Sequence, residues 1–507
     1  MQPSNHGSAA VAADKWTVGT FALCTIAALY GLFCLALSNA PLTDLPNHLV
    51  RAHAIGDFLF DAGRLFGGSF SFHPRWTPYL AGDLVLACLD WLVGIEWASR
   101  LWIAISVLLL PLSIWFVLGV QGCSRRGQIV GSLLGFYLAT DWFFASGFLN
   151  YRISVACVLF GYGWFLRSQD TGSMSAYVWY ILLAVIGYAM HLSALIFLFA
   201  VVAVSLAWAV LKGRQPLSRA TVLALPLLAL LAIHFGFPDG EAGNDFASHW
   251  GTWESKLRRL MSSAVRFNVK YEILLFALFL TATLVPWLGI RWRQAFRSSS
   301  TELALALVFM ALYFALPLVH GGVYDVDNRA LPLALLFLLF AGIRSCDLAA
   351  PAQQRQLVLA ITVAAANLVY LGFEILPQNY AMSLYRTVAQ RAPAASAVLP
   401  INTQPEIGRY EPFSHAGAFV TSETIALTPY LFSGPANPNI GYFRYLRPPY
   451  APSQFWYTRN DGTVDWEKIK QSYDYLLVTM PYEPSRIGIG FTVMEHNAVA
   501  SLLKIRK

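Results

Sequence analysis

Apolar runs of roughly 17 to 25 residues, each able to cross about 30 Å of hydrocarbon as a helix, recur from Thr17 to Phe373. They fall at 17–40, 98–119, 128–147, 151–166, 176–190, 192–211, 220–236, 271–290, 302–319, 331–345 and 356–374. The pattern therefore predicts an all-α multi-span membrane region of about eleven helices over 17–374, preceded by a cytoplasmic tail at 1–16. One further apolar stretch, Tyr79 to Ile95, carries Asp83 and Asp90. Laid along the outer surface, it lets every short basic cluster fall on the cytoplasmic side, as positive residues prefer. Those clusters are Arg125-Arg126, Arg167, Lys212 with Arg214 and Arg219, Arg291 with Arg293 and Arg297, and Arg344 to Arg355. A twelfth span at 79–95 would put Arg125 and Arg126 outside. Beyond residue 374 the long runs stop and Pro and aromatic residues crowd between Pro393 and Pro452. Asp465 to Gln471 reads as a helix, and Tyr473 to Thr479 and Ala498 to Ile505 read as buried strands. A small extracytoplasmic α/β domain over 375–507 is the expectation.

Composition agrees with a bilayer setting: 57% of residues are AVILMFWYC and 12% are charged, against about 25% charged in soluble domains. The net charge of +7 is accounted for by basic loops beside anionic lipid, and no nucleic-acid motif accompanies it. The six cysteines lie in or beside apolar runs without CxxC spacing, which argues against a disulfide framework or a structural zinc. Ser38-Asn39-Ala40 resembles a signal cleavage site, but the apolar stretch before it is too long and Pro41 follows, so an uncleaved anchor is expected.

Polar chemistry gathers at the outer ends of the runs. In Pro41 to Arg51 a carboxylate, an imidazole and a guanidinium (Asp44, His48 and Arg51) stand at i, i+4 and i+7, one face of a helix. Asp57 lies about 220° around that helix from Asp44. The same side receives Asp141, Asn150-Tyr151-Arg152, His191 and the His320 to Arg329 turn with Asp325 and Asp327. The external loop 237–270 breaks the charge rule with Lys256, Arg258, Arg259, Arg266 and Lys270. Apolar residues at helical spacing between Trp253 and Phe267 make it an amphipathic surface helix, either a membrane-lipid anchor or a cradle for a lipid-linked phosphate. Each group also has a structural reading. Asp44 stands where a helix cap would, His48 and His191 could bond neighbouring backbone, Arg329 could pair with Asp325 or Asp327, and Asn150 and Tyr151 could shape a tight link.

The strings DLPNHLVRA, FLNYR, AMHLSAL, DNRALPL and the closing YDYLLV resemble those of bacterial polytopic glycosyltransferases of the GT-C fold. That resemblance implies a plasma-membrane enzyme that takes a sugar from a polyprenyl-phosphate donor. It would transfer the sugar with inversion to an extracytoplasmic glycan, lipid or protein acceptor. It implies Asp44 as general base, although the second acidic residue frequent beside that position is replaced here by Leu45. The chemistry requires a base for the incoming hydroxyl and cations for the departing phosphate. A phosphate leaving group needs little protonation, so one carboxylate can suffice where glycoside hydrolysis uses two. His48, Arg51, His191, Arg258, Arg259 and Arg329 are the candidates for the phosphate, and Asn150, Tyr151, Asp325 and Asp327 for the rest of the substrate. No cofactor is called for, and a divalent cation would have no obvious site, since the first loop has no DxD-like pair.

A lipid-linked oligosaccharide ligase or polymerase would lean on a large loop between late spans, whereas the large polar regions here are 41–97 and the C-terminal one. A transporter would carry charges at mid-membrane and show repeated halves; these ionisable residues sit at run ends.

The orientation is tested by reporter fusions. A fusion after Lys507 should be active outside the cytoplasm and one after Arg126 inside it. Extracytoplasmic activity at Arg126 would remove the eleven-span assignment.

Overall fold

The computed structural model describes residues 6–213, 216–236, 248–262, 265–285, 287, 294, 297–320, 323–346, 350–403, 410–429, 431, 442–446 and 463–507. Arg214, Arg291, Arg293 and the 237–247 opening of the basic loop lie outside them. The helices are α1 (His6–Ala36), α2 (Leu45–Phe60), α3 (Leu80–Val93), α4 (Ile95–Val120), α5 (Arg125–Ala139), α6 (Trp142–Ala145), α7 (Leu149–Thr171) and α8 (Met174–Met190). They continue as α9 (Leu192–Leu211), α10 (Leu217–Gly236), α11 (Trp253–Ser262), α12 (Val269–Leu284), α13 (Ser300–Ala315), α14 (Leu331–Cys346), α15 (Ala350–Ala389), α16 (Ala418–Thr424) and α17 (Trp466–Ser472). The strands are β1 (Phe70–Phe72), β2 (Val319–His320), β3 (Val323–Tyr324), β4 (Val398–Ile401), β5 (Phe443–Tyr445), β6 (Tyr475–Thr479), β7 (Phe491–His496) and β8 (Ala500–Ile505).

Each apolar run of the sequence falls on a helix. Among the described residues, five helical stretches are long and apolar enough to cross a membrane: Val18–Ala36, Ile95–Val120, Leu192–Leu211, Asn328–Ser345 and Gln353–Ala389. Two boundaries differ from the pattern. The run at 128–147 breaks at Thr140, because Asp141 accepts the Phe144 N–H and starts the separate turn α6. The last run does not stop at 374: α15 continues to Ala389 with Pro377 inside it.

In the C-terminal region a four-stranded sheet has the order β4-β6-β8-β7, with β4 parallel to β6 and the other pairs antiparallel. Leu399, Ile469, Tyr473, Leu476, Val478 and Leu503 form its own apolar core with α17. The two strings read as strands, 473–479 and 498–505, form the adjacent strands β6 and β8. The sequence reading overlooked β4, which contains Pro400, and β7, which is half exposed.

The first loop is fastened to the C-terminal region at several points. β1 pairs with β5, Phe70 opposite Tyr445 and Phe72 opposite Phe443. Tyr410 donates its hydroxyl to the Pro41 carbonyl, and Arg386 donates to Asn39 Oδ1 at 2.6 Å and to Glu423. The strongest tie is a fork: Arg51 of α2 grips both carboxylate oxygens of Asp83 on α3, and Tyr442 donates to the same carboxylate. Arg51 and Asp83 are each 1% exposed. Burial opposes the Asp83 charge, yet the Arg51 guanidinium holds its carboxyl down to about 2. Its stabilising effect is present above the ordinary carboxylate range, around pH 4, and is lost as pH falls from there through about 2.

Removing one partner of a buried pair leaves an uncompensated charge, which costs roughly 3–5 kcal/mol. Asp83→Asn should therefore lower the thermal midpoint of the detergent-purified protein substantially. An unchanged midpoint would mean that the fork does not hold α2, α3 and β5 together.

Candidate active site

Asp44 stands at the start of the first loop and opens α2. Its backbone is already helical (φ −89°, ψ −12°) and its side chain makes no capping bond, so the cap reading of this residue is set aside. Pro46 supplies the fixed φ that starts the helix, and the carboxylate is left over for other work. Its place is set by the turn before α7. Thr43 and Asp44 donate their N–H groups to the carbonyls of Ala145 and Ser146 at 3.3 and 3.0 Å. Gly147, at φ +80°, packs so tightly there that a Cβ would meet the Asp44 and Leu45 nitrogens at 2.9 Å. Burial pushes the Asp44 carboxyl up to about 7, against the opposing pull of Arg329 and then Arg51. The group is poised near neutrality.

His48 and Arg51 share the face of α2 expected from their spacing, but Arg51 turns to Asp83. Arg51 Nη2 lies 2.9 Å from His48 Nδ1. Because a guanidinium can only donate, that nitrogen accepts and the imidazole proton sits on Nε2. Burial lowers the affinity of His48 for a second proton, outweighing its contact with Asp83. Asp57 faces elsewhere, as its helical angle predicts: it accepts the N–H groups of Leu65 and Phe66 and organises the loop after α2.

The opposite wall is made by His191 and Arg329. His191 joins α8 to α9, and its Nδ1 accepts the Ser193 N–H at 3.1 Å. The ring proton is then on Nε2, where Tyr79 Oη accepts it at 3.0 Å. Tyr79 is held there with φ +78°, a costly conformation for a bulky residue. Burial and the neighbouring Arg329 keep His191 neutral, its pKa well below the usual value. Arg329 Nη1 lies 2.9 Å from the same Nε2, a nitrogen that in this tautomer has no lone pair to offer. Its Nη2 reaches the Tyr324 carbonyl at 3.3 Å, and its Nε is buried without a partner. Phe148 and Tyr151 lie under the guanidinium, 5.4 and 5.8 Å from ring centre to Cζ. The Tyr151 hydroxyl donates to the Arg329 carbonyl at 2.7 Å.

The expected staple between Arg329 and Asp325 or Asp327 does not form. Arg259 takes Asp325 and stands 3.8 Å from Asp327, while Lys256 stands 3.7 Å from Asp327. Asp325 also accepts from Asn328 at 3.0 Å, and Asp327 caps the short 3-10 turn Asn328–Ala330. Among the described residues, Arg329 has no carboxylate ion-pair partner and is only 6% exposed. Two more buried polar atoms without partners lie on the turn that holds Asp44: Ser146 Oγ and Asn150 Nδ2. Asn150 packs against Gly82, beside Asp83.

The basic loop divides its cations among separate tasks. Arg258 is 78% exposed and pairs with Glu254 one turn back, whereas Arg259 points inward to Asp325. Lys256 caps the end of α13 by donating to the carbonyls of Tyr313, Phe314 and Leu316. Arg266 is buried against Glu272, Thr140 and Asn367. A joint cradle of Arg258 and Arg259 is therefore not formed. Trp253 and Leu257 of α11 face outward, as a helix on a lipid surface requires.

Sequence reasoning missed Asp83, Tyr79 and, above all, His415, whose Nε2 lies 3.6 Å from Asp44 Oδ1. Its only signal was an imidazole in the small and aromatic string FSHAGAF, far along the chain from Asp44. Between α5, α12 and α14 a narrow cleft of about 30 Å³ is lined by Tyr137, Leu138, Phe143, Phe276 and Leu335, with Asp141 and Arg266 at its polar end. The Phe143 ring centre lies 4.7 Å from that of Tyr151, the planes tilted by 55°, which links the cleft to the aromatic rings beneath Arg329. Among the described residues no group of three or more His, Cys, Asp or Glu side chains could hold a metal ion.

No family model matches the chain, and no curated protein does. Among solved structures it is similar to ArnT from Cupriavidus metallidurans, in one crystal structure bound to undecaprenyl phosphate and another in the apo state. The identities are 11% and 12%, the TM-scores 0.41 and 0.43, and the likeness covers 96% and 97% of this chain and 98% of ArnT in both. It is also similar to the arabinofuranosyltransferase AftD from Mycobacteria, solved by single-particle cryo-EM, at 15% identity and TM-score 0.48, over 95% of this chain and 40% of AftD.

Proposed function

We propose that this chain is an integral-membrane glycosyltransferase of the GT-C type. It moves a sugar from a polyprenyl-phosphate donor to an extracytoplasmic hydroxyl acceptor, with inversion and with Asp44 as general base. One observation carries the reading. The Asp44 carboxyl, only 15% exposed, lies close enough to Arg329 to feel its charge, and that buried guanidinium has no carboxylate partner among the described residues. Such a guanidinium invites an anion, and a dianionic or monoanionic phosphate suits its planar fork of donors.

In the reaction the acceptor oxygen forms a bond to the anomeric carbon on the face opposite the phosphate. The bond from that carbon to the phosphate oxygen breaks, and its electron pair leaves with the phosphate. The proton of the attacking hydroxyl passes to Asp44. Arg329 stabilises the charge gathering on the leaving phosphate, and the Tyr324 carbonyl, which accepts from its Nη2, holds the guanidinium in place. Arg51, neutralised by Asp83, acts on Asp44 only through its field. Ser146 Oγ and Asn150 Nδ2 are available to sugar hydroxyls. Arg258 and the exposed Trp253 and Leu257 of α11 contact lipid headgroups.

The decisive test is purified Asp44→Asn protein assayed with undecaprenyl-phosphate-linked pentoses, hexoses and aminosugars. Asn keeps the size of the side chain and removes the base, so turnover should fall by about a hundredfold to ten-thousandfold with donor binding retained. Asp57→Asn should be mild. Retention of more than about a tenth of wild-type turnover by Asp44→Asn would end the general-base assignment.

Wild-type turnover should also rise with pH through about 7, because only the deprotonated carboxylate accepts a proton and burial has lifted its pKa to that range. Arg329→Gln should raise the donor KM and lower turnover, while acceptor KM changes little. A flat pH profile between 6 and 8, or equal loss for both substrates in Arg329→Gln, would contradict these roles.

A further inference from the structure

The segment after α15 contributes more than a lid over the first loop. Tyr410 reaches the Pro41 carbonyl, three residues before Asp44, and α16 packs on α2. Between these two anchors His415 faces Asp44, Nε2 to Oδ1 at 3.6 Å, with side-chain exposures of only 12% and 15%. No second carboxylate stands beside Asp44 in the chain, since Leu45 follows it. Of the charged groups around it, Arg51 is engaged by Asp83, and Arg329 stands on the opposite wall with His191. His48 has its Nδ1 occupied by Arg51. His415 is thus the side chain placed to hold one oxygen of the Asp44 carboxylate and leave the other for a substrate.

We propose that His415 is a positioning residue: its imidazole N–H binds Asp44 Oδ1 and so directs Oδ2 toward the acceptor hydroxyl. This rests on the reading of Asp44 as the base. Burial holds the His415 pKa down to about 4, with His48 adding a smaller push in the same direction. The ring is therefore neutral at working pH, with one N–H to donate and no charge that would quench the basicity of Asp44. The separation in the unliganded site exceeds a full hydrogen bond, and catalytic contacts of this kind shorten when substrate closes the site. A neutral donor orients a carboxylate and lowers its proton affinity modestly.

The test reads the Asp44 carboxyl directly. In pH-difference infrared spectra of the purified full-length protein, the Asp44 band is identified by its absence in Asp44→Asn. His415→Phe should move the band's midpoint upward by at least about half a unit, whereas His415→Gln, which keeps an N–H donor, should restore it. With the same undecaprenyl-phosphate sugars, His415→Phe should lower kcat by about tenfold to a hundredfold. Donor KM should stay constant and the acid limb of the pH profile should shift with the band. Tyr410→Phe serves as the control for a merely structural segment, lowering stability without moving the midpoint. An unmoved midpoint in His415→Phe, or the same shift with Gln as with Phe, would overturn the proposal. Full turnover in Asp44→Asn would instead overturn the base assignment on which it rests.

Discussion

A buried guanidinium has to be neutralised or has to serve an anion, because the charge cannot be shed and its desolvation costs several kcal/mol. The polar end of the helices in this protein is organised by that constraint. Arg51 is met by Asp83, Arg152 by Asp141 and Arg266 by Glu272. Arg329 is not matched, although two carboxylates stand two and four residues before it. Asp325 and Asp327 are drawn instead to Arg259 and Lys256 on the amphipathic helix. The basic loop thus works indirectly, by taking the acids that would otherwise silence Arg329.

The same logic makes Asp44 different from the acids around it. Asp57, Asp83, Asp141 and Asp327 are each spent on backbone N–H groups or on a cation. Asp44 faces a histidine that burial keeps neutral. Its elevated proton affinity follows from burial that Arg329 and Arg51 only partly offset. Asp44 and Arg329 thus lie near enough for the guanidinium to act on the carboxyl, and among the described residues neither is cancelled by a carboxylate–guanidinium contact.

The supports of these two groups come from distant parts of the chain. The turn of residues 145–151 supports Asp44 from one side and Arg329 from the other, through Gly147 and Tyr151 respectively. The first loop is closed from outside by β5, Tyr410, Tyr442 and α16. The C-terminal region therefore helps to build the site, and its sheet at β4-β6-β8-β7 anchors the segment that carries His415.

Much of this was legible in the sequence by itself. The long apolar runs determined where helices form, since length and hydropathy are local properties that tertiary context does not reverse. The i, i+4, i+7 spacing put Asp44, His48 and Arg51 on one face of α2, and the largely apolar strings YDYLLVT and AVASLLKI each marked a strand. The amphipathic pattern from Trp253 onward determined a surface helix. What the tertiary structure alone decided was partnership. Whether Asp44 caps a helix, whether Arg329 is stapled by its own loop, and which acid answers Arg51 depend on distances between residues tens or hundreds of positions apart. His415 is the clearest case: nothing in its neighbourhood marks it, and only the docking of residues 410–424 onto α2 brings its ring to the carboxylate. Ion pairs and buried polar contacts are chosen by a few ångströms of separation, and those separations exist only once the helices have packed.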